Sequence, residues 1–344
     1  MIPAHGLEYP STPVLRSAGR VAQPARPPRA RRLLGGALAL TALVGTSLES
    51  AAYEFATVEY PGAVLTSLGG VNNAGTAIGY AALADGSTVS FTYDLKRERV
   101  TTLPAATPGG YGFAALGINE RGVIVGVLND TPTTSIGAIL DKKGRYTTFS
   151  VPGYASTIPR AVGRSGLVTG YAVDETGTDW TGFLYDPKRA ELNLFTVPGA
   201  LLIIPQGING RGQLVGSVFL PDDVAYPGSP ASHYGFLRDA DGSITLFQVN
   251  GLPTRPRGIT DAGLITGFVN PVPGEALGYT VQRPASGGYR DLSVPSDRLF
   301  SAPDAVQTAP QAIDNTGRIV GQFVDDTGGT YGFVALPESK AKKK

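Results

Sequence analysis

A ten-residue motif of the form Gly-Ile-Asn-x-x-Gly-x-Ile-Val-Gly occurs six times along the 344 residues, and this repetition constrains the fold more than any other feature. It reads GVNNAGTAIG at 70–79, GINERGVIVG at 117–126 and AVGRSGLVTG at 161–170, the last degenerate at its start. It returns as GINGRGQLVG at 207–216, GITDAGLITG at 258–267 and AIDNTGRIVG at 312–321. The closing glycine thus recurs every 44 to 54 residues.

Each copy continues in the same way. A small residue followed by an aromatic one comes 12 or 13 positions later, as in Ser90-Phe91, Gly182-Phe183, Gly278-Tyr279 and Gly332-Phe333. The second copy has Gly137-Ala138 there, and the fourth reaches Gly235-Phe236 only after an insertion. A polar turn and an alternating stretch follow, such as RYTTFSVPG at 145–153 or ELNLFTVPG at 191–199. Alternation with period two predicts strands, and the Asn-x-x-Gly piece suits a tight hairpin whose glycine accepts positive φ.

Four short strands per repeat cannot bury themselves alone, but radial stacking buries both faces. The expectation is therefore an all-β chain forming a six-bladed β-propeller of four-stranded blades. The sixth repeat ends at its third strand, GFVALP (332–337), whereas YEFATVEYPGA (53–63) matches a fourth strand with no first three before it. Pairing the two closes the ring through the N-terminus and removes two open sheet edges. An open stack of β-hairpins is the rival architecture. The chain divides into an export segment at 1–52, the repeat body at 53–337 and a Lys-rich tail at 338–344.

Composition sharpens these boundaries. With 46 Gly and 27 Pro, long helices are excluded, while 42% hydrophobic residues supply a core. The first 52 residues carry six arginines, among them the pair Arg31-Arg32, then the apolar run Leu33 to Val44, then small residues up to Ala52. That order reads as a signal for export to the periplasm or beyond, the apolar run being too short for a comfortable bilayer span. The remainder has an excess of acids, which argues against nucleic acid as a partner. No Cys is present, so disulfides, thiol nucleophiles and Cys-ligated metals are excluded. Past residue 52 the one histidine is His233, too few for a His-rich metal site, and no phosphate-binding Gly-rich loop occurs. No metal and no cofactor is expected, no membrane span in the mature chain, and a monomer.

The repeats GINERGVIVG and GINGRGQLVG, with the GFL step and the T-x-F-x-VPG strand that follow in the repeat pattern, resemble the bacterial HAF-family "probable extracellular repeat" proteins over about residues 53–337. That resemblance implies export and the repeat type, and it implies no activity. The His-Ala-Phe step behind the family name is Gly-Phe in most repeats here.

In a propeller of this strand order, the loops joining strands two to three and four to one share an end. Two long stretches fall there, LPDDVAYPGSPASH (220–233) and the connection 293–311. Long loops on one end of a rigid scaffold are where binding concentrates. The candidate ligand-binding residues are Asp222, Asp223, Tyr226, His233, Asp297, Arg298 and Asp304, with Trp180 in the neighbouring loop. Acids predominate at this end. The opposite end carries bases in its turns, including Lys142, Lys143, Arg145, Lys188, Arg189 and Arg211, which would suit an anionic envelope polymer. The expected function is a binding or scaffold module for a polysaccharide, an envelope polymer or a protein. A carboxylate-based polysaccharide hydrolase or lyase, with two acids across a cleft, and a purely structural envelope protein stand as alternatives.

Overall fold

The computed structural model describes residues 53–106, 112–129, 134–295 and 299–337, so the export segment and the Lys-rich tail lie outside the described residues. Every regular element described is a β-strand. The first strands of the six repeats are Ala63–Val71, Phe113–Ile118, Ser156–Val162, Leu202–Ile208, Thr254–Ile259 and Ala305–Ile313. Each packs against the first strand of the next repeat, and the sixth packs against the first, which closes a ring about a central axis. The chain is a β-propeller.

One expectation is corrected. The strands do not divide into six separate four-stranded blades; they hydrogen-bond into five sheets, of which only three are four-stranded. Repeats one and six share a single eight-stranded sheet, because Leu65 bridges Thr330 in parallel where the ring closes. Tyr53–Val58 lies in that sheet, antiparallel to Thr330–Pro337 over six residue pairs. The fourth repeat's sheet gains a fifth strand, Gly288–Leu292, which pairs in parallel with Ile244–Val249.

That extra strand revises the connection at 293–311. The stretch contains the short fourth strand of repeat five, Leu299–Phe300, paired with Gly278 and Tyr279, and then the first strand of repeat six. Both YRDLSVP and RLFSAPD fit the pattern of a half-exposed outer strand, and the second fills the inner place because Phe300 is buried there.

Local packing explains the motif. In each hairpin of strands one and two, the register skips a residue, between Pro159 and Ala161, Pro205 and Gly207, Pro256 and Gly258, or Pro310 and Ala312. A bulge tolerates the proline, which has no N–H to donate. The bulge pushes a backbone carbonyl towards strand two, so a Cβ on Gly170 would run into the Ile158 carbonyl oxygen. The motif's closing glycine is therefore steric, facing the bulge in every repeat. The glycine of the third strand has a different cause: a Cβ on Gly182 or Gly235 would lie 2.9 or 2.8 Å from the ring of Phe195 or Phe247 in strand four. Phe149, which stands over Gly137 in the same way, and Phe195 then meet the third-strand aromatic of the next repeat, Phe149 with Phe183 at 5.8 Å and Phe195 with Phe236 at 6.4 Å. Full burial of each such ring stabilises the fold by about 1.5–3 kcal/mol.

Candidate functional site

At one end of the ring the six strand-one-to-two turns surround a funnel of about 100 Å³, open to solvent. Its floor is an aliphatic ring of Val71, Ile118, Val162, Ile208, Ile259 and Ile313. The turns are tied to one another. Asn119 accepts the Arg121 and Val123 N–H groups through Oδ1 and donates Nδ2–H to the Gly163 carbonyl of the next repeat at 3.0 Å. Asn72 and Asn209 do the same towards Asn119 and Thr260. One residue further on, the N–H groups of Asn73, Gly210, Asp261 and Asn315 donate to Glu120, Asp261, Asn315 and Asn73. Arg318 closes the circle by donating to the Asn72 and Asn73 carbonyls. These polar groups are spent on structure.

Deeper along the axis, beyond the aliphatic ring, lie the six bulge residues: Gly69, Leu116, Arg160, Gln206, Arg257 and Gln311. The repeat dictates none of them. Arg160 Nε donates to Gln206 Oε1 at 2.7 Å, and its Nη2 reaches Gln311 Oε1 of repeat six at 3.4 Å. Arg257 is 5% exposed, stacks over the Phe268 ring at 5.1 Å, and its Nε has no hydrogen-bond partner. Burial first, and then the Arg160 and Arg255 charges, hold its acidity constant well below the ordinary guanidinium value. Neither Arg160 nor Arg257 forms an ion pair among the described residues.

Two further buried polar atoms sit beside Arg257 without a partner, His233 Nδ1 and Tyr279 Oη. His233 is 9% exposed, edge-on to Phe219 at 5.1 Å; burial, then Arg255 and Arg257, lower its pKa to about 3. It is neutral at physiological pH. Burial raises the Tyr279 hydroxyl well above its usual range, with Arg257 acting in the opposite sense.

Of the expected residues that are described, His233 is the one that faces this cluster. Tyr226 turns to the periphery, with its ring 4.5 Å from that of Tyr289 on the added strand. Asp222 and Asp223 hold their own loop, accepting the Ala231 and Gly228 N–H groups at 2.6 and 2.7 Å. Asp304 occupies a left-handed turn position, φ 61°, equivalent to that of Gly153 and Gly199 in other repeats. Trp180 stacks on Tyr171 at 5.1 Å and donates to the Gly177 carbonyl; both rings pack with Leu116, Ile158 and Ile204. Asp297 and Arg298 lie outside the described residues. Of the residues expected to form a basic face, Arg145 and Arg189 pair with Asp141 and Asp186 of their own turns at 2.7 and 3.1 Å, and Lys188 donates to the Ser165 carbonyl. Lys142, Lys143 and Arg211 belong to turns at the same end.

Arg160, Gln206, Arg257 and Gln311 were missed as site residues. The available signal was the shared Pro-x-small step, PRA, PQG, PRG and PQA, whose middle residue varies while its flanks do not. No group of three or more metal-binding side chains occurs among the described residues, and no described helix is long and apolar enough to cross a membrane.

No family model and no curated protein sequence matches the chain. Among solved structures it is similar to TolB from Acinetobacter baumannii, at 8% identity and a TM-score of 0.44, over 78% of this chain and 54% of that one. The chain thus spans about half the length of TolB. It is similar to a putative gluconolactonase at 12% identity and a TM-score of 0.43, over 83% and 94% of the two chains. A third similar structure is the β-propeller domain of the Trilobed protease from Pyrococcus furiosus, at 9% identity and a TM-score of 0.42, over 81% and 100%.

Proposed function

We propose that this chain is an exported binding propeller without chemistry of its own, which takes part of an envelope or extracellular polymer at the ring axis. The observation that supports it is the contrast within the inner strands. Turn, bulge and glycine positions recur because closure demands them, whereas the six bulge positions hold a glycine, a leucine, two glutamines and two arginines. A rigid scaffold with unlike groups converging on its axis is suited to recognition. The aliphatic ring separates this level from the funnel, so a ligand approaches from the opposite end, where Trp180 and the 221–231 loop lie.

A hydrolase would need a carboxyl group with raised pKa opposite a second acid. Asp85, Asp174 and Asp325, at the loop end, are instead all lowered, chiefly by hydrogen bonds from Ser87, Thr176 and Thr327 of their own turns. Export is proposed from the basic, apolar and small-residue order before Tyr53. It predicts a mature N-terminus at that residue, read by N-terminal sequencing of the exported protein.

The test is to incubate the purified protein with acidic and neutral bacterial polysaccharides, scoring retention and released fragments, beside Leu116→Phe, which narrows the axis. Retention without fragments, weakened at least tenfold in the variant, is the expected result. Released fragments, or equal retention by the variant, would overturn the reading.

A further inference from the structure

Three of the buried polar atoms that lack partners converge on one place, the wall of the axis between repeats four and five: His233 Nδ1, Arg257 Nε and Tyr279 Oη. Buried polar atoms are nearly always satisfied, so three together call for a cause. The charge here is one-sided. Arg160 and Arg257 lie on the same axial level, and the groups acting on Arg257 are cations and tyrosines, with no carboxylate among them. The neighbouring Gln206 and Gln311 offer only neutral carbonyl oxygens, which Arg160 already uses. Burying a guanidinium without a counter-charge is costly, and an anion between the two arginines removes that cost.

We propose that the bulge level of the axis is an oxyanion site, in which a carboxylate or phosphate group is held by Arg257 and Arg160. The proposal deepens the binding reading by naming the chemical class of the ligand. Arg257 supplies Nε–H and a terminal N–H side by side, the fork that accepts two oxygens of one anion. The Tyr279 hydroxyl donates a further hydrogen bond. Leu116, Ile158 and Ile204 line the approach with apolar surface, so the charged group enters on a less polar stem rather than as part of a densely charged chain.

The site has its own reporter. Trp180 is the one tryptophan of the chain and packs with Leu116, Ile158 and Ile204. Titrating the full protein with glucuronate, inorganic phosphate and uncharged glucose at constant ionic strength, while following Trp180 fluorescence and the melting temperature, tests the proposal. Saturable changes with the anions and none with glucose are expected, and the two anion arms tell a carboxylate from a phosphate source. Arg257→Met and Arg160→Gln should each weaken the anion response at least tenfold, and Arg257→Met should melt at or above the wild-type temperature in the absence of anion. An unchanged anion response in both variants, or no response in the wild type, would overturn the proposal. If a neutral polysaccharide is retained and Leu116→Phe blocks it while anions have no effect, the oxyanion site falls and the axial binding reading stands; if Leu116→Phe has no effect on polymer retention, the axial reading itself falls.

Discussion

At the turn end, Asn72, Asn119 and Asn209 repeat one arrangement, capping their own hairpin and donating to the next, whereas three residues deeper the bulge positions follow no single type, with Leu116 and Gln206 beside the two arginines Arg160 and Arg257. The two levels belong to the same six strands. At the first, nearly every polar group has a partner supplied by the repeat; at the second, Arg257, His233 and Tyr279 leave polar atoms unpaired. The difference separates what the ring needs in order to close from what it has available to use. Consistency with the fold marks the turn level, and a local violation marks the axis, where functional sites are to be expected.

The comparison breaks most severely where closure depends on backbone clearance. A Cβ on Gly126 would collide with the Ala114 carbonyl and lie 2.9 Å from the Phe113 ring, with backbone on one side and a buried aromatic on the other. Gly126→Ala should therefore cost on the order of 3 kcal/mol or more, measured by urea unfolding against Gly86→Ala, whose Cβ would meet nothing within 4 Å and which is disfavoured only by its positive φ. Equal losses at the two sites would mean that the bulge does not dictate the closing glycine.

That glycine also measures how much the sequence disclosed. Its recurrence at 79, 126, 170, 216, 267 and 321 was plain, as was the small-then-aromatic step of the third strand, but not the contact of that small residue with a fourth-strand phenylalanine. The cause was not plain, because a bulge is a register shift between strands and leaves only the Pro-x-small step as a trace. The count of separate sheets failed for a related reason. A single bridge from Leu65 to Thr330 joins two repeats into one sheet, and Gly288–Leu292 adds a parallel strand to another, without altering any repeat pattern. Of the acids expected to bind a ligand, Asp222 and Asp223 accept N–H groups of the loop that carries them, and Asp304 sits at a left-handed turn position, uses that sequence alone does not announce. His233, on the third strand of repeat four, is brought to Arg257, on the first strand of repeat five, by packing that periodicity does not encode.

His233 offers a sharper test of the axial level. Its pKa is lowered from 6.5 to about 3 by burial and then by Arg255 and Arg257, so the folded chain holds it neutral. Below pH 6.5 the unfolded chain gains a proton at this residue that the folded chain does not, and stability falls with pH until about 3, where both states are protonated. At about 1.4 kcal/mol per pH unit, the drop between pH 6.5 and 4 attributable to this group is on the order of 3 kcal/mol. Urea unfolding at the two pH values should show wild type losing that much more than His233→Gln. Parallel losses would mean that His233 is hydrated and lies outside the cluster.

The smallest effect tests the turn level at its one gap. Among the described residues, the junction of repeats three and four has no hydrogen bond between turns, because Gly163 stands where the other copies carry Asn, Thr or Asp. Space for a side chain exists: the nearest atoms to a Cβ on Gly163 would be those of the Ile208 side chain, at 3.4 Å and beyond, and the backbone there is not left-handed. Gly163→Asn should accept the Leu167 N–H, as Asn119 accepts that of Val123, and donate to the Asn209 carbonyl. The expected gain is about 0.5–1.5 kcal/mol, the usual worth of a net hydrogen bond, and Asn119→Ala should lose at least as much at the adjoining junction. The sign matters more than the size. A gain would show that the degenerate copy tolerates a missing link because neighbouring junctions close the ring for it. A loss would mean that the glycine is needed at that junction, so that the turn level too carries a local exception to the repeat.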